Sequence, residues 1–400
     1  MVAYLRSPRA IRERSARLFE RARSGQSTTF RVHDDKLGDV AAYVAGFLRE
    51  RCPRLRAPLN GRLRHFDAGG VPRVARLEED LAGLDPRERA RTKIDLIVPS
   101  VLLDAGAGAV WGYEEDGVRY TRSEGLALAS LQLFRSGALS DSGADLRCDA
   151  AGLQRLTTAE LAKAFQVRPG NELVGLEGRR SVLVSLGCAL ESRPDLFGFG
   201  SGGRPGALVD WALSHATGKK IEASTLLGAI LDGLASVWPG RVELQGQNLG
   251  DTWHHPALGD GAAGLVPFHK LSQWLTWSLV EPLADAGVET VGVEALSQLA
   301  EYRNGGLLLD LGALDLVDAA DARRSHEIGS PLVVEWRALT VSLLDRIVPL
   351  IADQLGISDS SLEGANLLSW ATWAAGRRAA QERRSDGGSP LPLVSDGTVF

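Results

Sequence analysis

Cysteine is scarce in this chain of 400 residues: Cys52, Cys148 and Cys188 lie far apart, in no metal-ligand spacing. An odd, scattered set excludes a disulfide framework and fits a reducing, cytoplasmic setting. Long apolar runs are lacking too. No stretch approaches the ~18 uninterrupted apolar residues of a membrane span, so no transmembrane helix is expected. The first residues have no apolar core of a secretory type. They are instead rich in arginine (Arg6, Arg9, Arg12, Arg14, Arg17), a pattern shared with organelle transit peptides, but Glu13 and Glu20 favour a solvated basic helix. Positive charge is in short supply overall: the formal net charge is -5. That argues against a nucleic-acid partner, which requires a basic surface.

Missing motifs narrow the chemistry further. There is no P-loop, no dinucleotide-binding glycine fingerprint and no GxSxG elbow. "GFGSGG" at 198–203 is glycine-rich, but no strand precedes it and no Lys-Ser/Thr follows, so it reads as a loop. Nucleotide hydrolase, dehydrogenase and serine hydrolase readings lose support.

What is present is helical. With 44% hydrophobic and 24% charged residues, the chain has material for a sizeable core. Apolar residues recur at helical spacing over 8–24, 36–51, 86–104, 124–136, 158–166, 172–192, 206–216, 224–236, 267–286, 330–355 and 360–384. Asp85-Pro86-Arg87-Glu88 is a helix start with N-cap, proline at the first position and an acid at the third. Strand signals are few and short. The expected fold is mainly α with at most a small β-sheet. Its expected division is an N-terminal helical region with a basic loop (1–140), a main helical domain (141–384) and a tail (385–400).

Four stretches could carry chemistry. The helix predicted from 267 has an apolar stripe of Phe268, Leu271, Leu275 and Leu279, with Trp274 and Trp277 on the far side. His269, Gln273 and Thr276 share one flank, and buried polar groups need partners, so this flank faces either a polar network or a ligand. "GDTWHHPALGDG" at 250–261 offers Asp251, His254, His255 and Asp260 in a loop. Its spacing matches no helical metal motif, and a substrate-contacting or carboxylate-orienting histidine is the preferred reading over a metal site. "VVEWRALTV" places Glu335 and Arg337 around Trp336, as an ion pair or as site residues. Arg62, Arg64 and His65 sit in a predicted loop that is either solvated or phosphate-holding.

"LAEYRNGG" at 299–306 raises the sharpest question. Helix formers run from Glu294 to Arg303, and Asn304-Gly305-Gly306 reads as the left-handed end of that helix. Glu301 is then expected in a last turn, where unpaired carbonyls disfavour an anion and raise a carboxyl pKa. A carboxylate there is either an exposed partner of Arg303 or a functional group.

"VPFHKLSQWLTWSLVEPL", "LAEYRNGGLLLDLGAL" and "VVEWRALTVSLLD" resemble signature blocks of the uracil-catabolism family known as the fourth uracil-catabolism protein or third uracil-regulated gene product. "GRLRHFDAGGV" and "LLDAGAGAVWGYEE" resemble its N-terminal blocks. That resemblance spans nearly the whole chain and implies a part in uracil breakdown through a ribosylated urea. "AEYRNGGLLLDLG" is also similar, over a shorter stretch, to the Ala-Asp-Tyr-Arg block of queuosine-nucleotide glycosylases, a mostly α family similar to helix-hairpin-helix DNA glycosylases. That likeness implies a catalytic role for Glu301, with Glu in place of Asp and Asn-Gly-Gly in place of a Val-Pro-Gln-like stretch.

Together these imply an N-glycosidase that cleaves a ribosyl-urea nucleoside or nucleotide. Glu301 would activate water or stabilise the sugar cation, with Asp251 and His255 assisting. Trp253, His269, Gln273, Trp274, Tyr302, Arg303, Asn304, Glu335 and Arg337 would line the pocket. Arg62, Arg64 or Lys270 would hold a phosphate. No cofactor, metal, membrane or nucleic-acid partner is expected, and the oligomeric state is open. The rivals are a metal-assisted ureido or amide hydrolase built on Asp251, His254 and His255, and a non-catalytic pathway partner.

Overall fold

The computed structural model describes residues 1–57, 59–143, 146–198, 202–238, 242–359 and 361–394. Among the described residues, seventeen α-helices and six two-stranded sheets make the protein mainly α. Among the described residues no helix is long and apolar enough to cross a membrane.

The chain divides into two compact units. The first gathers Met1–Asn60, Arg241–Gln273 and Gly292–Val394. Its centre is the 25-residue helix Pro331–Leu355, started by Pro331 behind a Ser330 cap and stopped by Gly356 in the left-handed conformation. Helices Pro8–Arg23, Leu37–Arg51 and Tyr302–Asp310 contact it, and Leu362–Arg383 lies along the last of these. Phe19, Val44, Leu48, Leu307, Trp336, Leu343 and Ala375 are buried in one cluster where these helices meet. Three of this unit's small sheets join its segments, two of them tying distant ones and the second a local pairing. Phe30–Val32 runs antiparallel to Leu314–Leu316, Thr252–His254 antiparallel to Leu265–Pro267, and His326–Glu327 parallel to Leu393–Val394. The last pairing and the buried Leu391 tie the described part of the C-terminal tail to this unit. Residues 395–400 lie outside the described residues, as do 199–201 of the "GFGSGG" loop.

The second unit gathers Gly61–Gly240 and Trp274–Val291. Helix Pro86–Leu102 starts as its sequence predicts: Asp85 accepts from the N–H groups of Arg87 and Glu88 at 2.9 and 3.2 Å. It contacts helices Arg122–Arg135 and Leu176–Ser192. The former begins behind Thr121, two residues before the 124–136 spacing suggests. Helix Thr158–Ala164 begins with a complete capping box between Thr157 and Glu160.

Two expectations need correction. Helix Lys270–Asp285 begins three residues after Pro267, because Leu265–Pro267 is a strand. More consequentially, no helix runs from Glu294 to Arg303: a 3₁₀ turn covers Val293–Ala295 and the helix starts at Tyr302. Asn304, Gly305 and Gly306 lie inside it, and neither glycine has a positive φ. They are there for closeness. A Cβ on Gly305 would lie 2.7 Å from the Trp336 ring and 2.8 Å from Thr340 Oγ1. On the other side, a Cβ on Gly376 would lie 2.3 Å from the Arg303 carbonyl.

Candidate functional site

Glu301 is the N-cap of helix Tyr302–Asp310, the opposite end from the one its sequence suggests. Its Oε2 accepts from the N–H groups of Arg303 at 2.7 Å and Asn304 at 3.2 Å. No hydrogen bond among the described residues falls on Oε1, although the residue is only 9% exposed. Burial raises the carboxyl pKa, and the charges of Lys270 and Arg303 with the two N–H bonds lower it; the net shift is upward. The helix dipole now favours the anion, so desolvation alone carries the raised value.

The neighbours of Glu301 on its helix are largely engaged. Arg303 donates to the Gly387 carbonyl at 2.6 Å and stacks over Tyr302. Asn304 Nδ2 donates to the Leu299 carbonyl at 3.1 Å, while its buried Oδ1 has no hydrogen-bond partner among the described residues.

Asp251, in the same unit, is engaged through both carboxylate oxygens. Arg337 grips it bidentately at 2.7 and 2.8 Å, Trp253 Nε1 donates at 2.7 Å, and the Lys270 N–H donates at 3.0 Å. Burial pushes its pKa up, but the Arg337 charge and these bonds outweigh it and hold it well below the usual carboxylate range. Arg337 also lies over the Phe268 ring and donates from Nε to the Ala300 carbonyl at 3.3 Å.

Glu335 and Arg337 therefore do not pair with each other, and both are buried. Glu335 turns to Thr29, whose hydroxyl donates to it, and to His255, whose Nε2 is 3.6 Å away. Burial raises its pKa, but His255, Ser27 and Thr29 together bring it below the ordinary value. His255 Nδ1 accepts from the Ala257 N–H at 3.2 Å, so a neutral ring carries its proton on Nε2, the nitrogen that faces Glu335.

The polar flank at 269–273 is a network. His269 has a left-handed φ of 48° and its Nε2 donates to the Leu5 carbonyl at 2.8 Å. Gln273 donates to the Phe268 carbonyl and exchanges bonds with Ser297. The residues of the metal reading have separate partners, since His254 pairs with the Gly259 carbonyl. Among the described residues no three His, Cys, Asp or Glu side chains group so as to hold a metal.

The predicted basic loop belongs to the second unit and is not a solvated loop: Leu63–Phe66 is a short helix. Arg62 is fully buried, bonded to Ser100 at 2.7 Å and Asp104 at 3.0 Å, with no hydrogen bond from Nη2 among the described residues. It sits over the Trp274 ring, and His65 meets that ring edge-on. Burial, then the Arg62 charge, lowers the His65 pKa to about 4. Arg64 is half-buried on the same turn. Nothing in the sequence near 62 or 335 announced Ser100, Asp104 or Thr29 as partners, because each is far along the chain.

The model of one protein family, described as "Protein of unknown function (DUF1688)", matches residues 4–400. This chain belongs to that family. It is similar to Uracil catabolism protein 4 of Lachancea kluyveri, 37% identical over 438 aligned residues that cover 100% of this chain and 99% of that protein. It is also similar to Protein urg3 of Schizosaccharomyces pombe, 38% identical over 409 residues with the same coverage. The family match takes in both units, and with them every residue of the site described above.

Proposed function

We propose that this chain acts in uracil catabolism, as a hydrolase of the N-glycosidic bond in a ribosyl-urea nucleoside or nucleotide. The relative named Uracil catabolism protein 4, alike over its full length, supports the pathway. The observation that carries the reaction is the state of Glu301: buried, fixed through Oε2 by two N–H groups, with no hydrogen bond to its other oxygen among the described residues.

Hydrolysis breaks the bond between C1′ and nitrogen, adds hydroxyl to C1′ and leaves the proton on the departing urea nitrogen. The transition state is positive at the sugar. A pre-oriented carboxylate stabilises that charge or takes the proton of the attacking water. A raised pKa makes Glu301 a stronger base than an exposed glutamate, and Lys270 and Arg303 keep it ionisable.

Glu301→Gln keeps an acceptor for the two N–H groups and removes the charge. With folding intact, release of urea from ribosylurea or its phosphate is expected to fall about 10²–10⁴-fold. Uridine and UMP, assayed for free uracil, define the substrate class. Near-normal turnover by Glu301→Gln rejects the proposal.

A further inference from the structure

Asp251 and Arg337 occupy neither end of the proposed reaction, yet they meet both of the elements that supply it. Asp251 Oδ2 accepts the Lys270 N–H, and the Asp251 backbone carbonyl accepts those of Phe268 and His269 at 2.9 and 3.3 Å. One residue thus holds the turn into the Lys270 helix, including the left-handed His269, a conformation that persists only where its surroundings enforce it. Arg337 fixes the Ala300 carbonyl, one residue before Glu301. Trp253 locks the second Asp251 oxygen.

A buried ion pair is a poor device for stability alone, because desolvation offsets much of its attraction and apolar residues of similar volume serve as well. Its directional bonds are what apolar residues cannot replace. We infer that the Asp251–Arg337 pair is a positioning device that holds the start of the Lys270 helix against the Ala300–Glu301 peptide, and so sets the separation of the Lys270 and Glu301 charges. Its functional sense rests on the Glu301 reading above; its physical content does not.

The charged groups acting on Glu301 are Lys270 and Arg303, so the Glu301 titration reports their placement. It is followed by carboxyl ¹³C NMR, assigned against Glu301→Gln. Lys270→Met is expected to raise the Glu301 midpoint by about one pH unit. Arg337→Lys, which keeps a charge for Asp251 but loses the fork on it and the Nε–H that reaches Ala300, is expected to raise it likewise. The double variant shows no further rise, because the second change acts through the first. Turnover by Arg337→Lys falls about 10²-fold in kcat with KM nearly unchanged.

An unmoved Glu301 midpoint in folded Arg337→Lys, or additive shifts in the double variant, overturns the positioning role while leaving the hydrolase reading in place. The expected titrations in a protein that turns over no ribosyl-urea substrate reject the hydrolase reading and keep the positioning role. Should Arg337→Lys not fold, Trp253→Phe removes one bond to Asp251 and keeps a smaller aromatic ring in its place. A smaller upward shift is then expected, and none overturns the inference.

Discussion

Single residues here are set by what covers them. Glu301 has an ordinary carboxyl pKa of 4.5 raised by burial. If its anion does the work, kcat/KM falls as pH drops through the raised value, so the acid limb of the rate profile lies above pH 4.5. An acid limb below that value would show that another group titrates. His65 has the opposite consequence, for stability rather than rate. Its pKa falls from 6.5 unfolded to about 4 folded. Below pH 6.5 the unfolded chain takes up a proton that the folded one refuses. Stability therefore declines as pH falls from about 6.5 to about 4, by at most roughly 3 kcal/mol. Replacing His65 with Phe is expected to flatten that part of a urea-denaturation series taken against pH; an unchanged slope would refute the assignment.

Elements follow local rules until a neighbour intervenes. The start at Asp85 was legible because a cap needs only residues two or three apart, and the spacing alone placed the starts at Thr158 and Pro331 to within a residue. Helix Tyr302–Asp310 was misread because glycine has two uses, a left-handed turn or a close approach, and only the second applies. Glutamate is also not among the favoured N-caps. The apolar run Leu307–Leu309 just after the glycines was the one signal for a helix continuing there. Gly305→Ala is expected to cost about 1–3 kcal/mol in urea denaturation, since the Trp336 ring and Thr340 leave no room. Gly46 is the control: it lies within helix Leu37–Arg51 with nothing within 4 Å of an added Cβ. Gly46→Ala is expected to stabilise by about 0.5–1 kcal/mol. Equal effects at the two positions would contradict the packing account.

For the whole molecule, chain order and spatial order differ. The first unit is assembled from three separated segments, so it has no contiguous stretch that could be cut out. Phe19 and Ala22 of the first long helix lie in the same buried cluster as Trp336 and Leu343. Deleting residues 1–24 is therefore expected to abolish the cooperative melt of this unit, followed by tryptophan fluorescence. An unaltered transition would show that the helix is dispensable.

The sequence by itself determined the helical character, most helix positions and the residue types available for chemistry, since periodicity and capping act over one or two turns. It also brought forward Glu301, Asp251, His255, Glu335 and Arg337. Only the tertiary structure decided their partners: Arg337 with Asp251 across 86 positions, Glu335 with Thr29 across 306. It also decided which end of a helix Glu301 occupies. Those outcomes depend on burial and close approach between distant segments, and no local pattern encodes them.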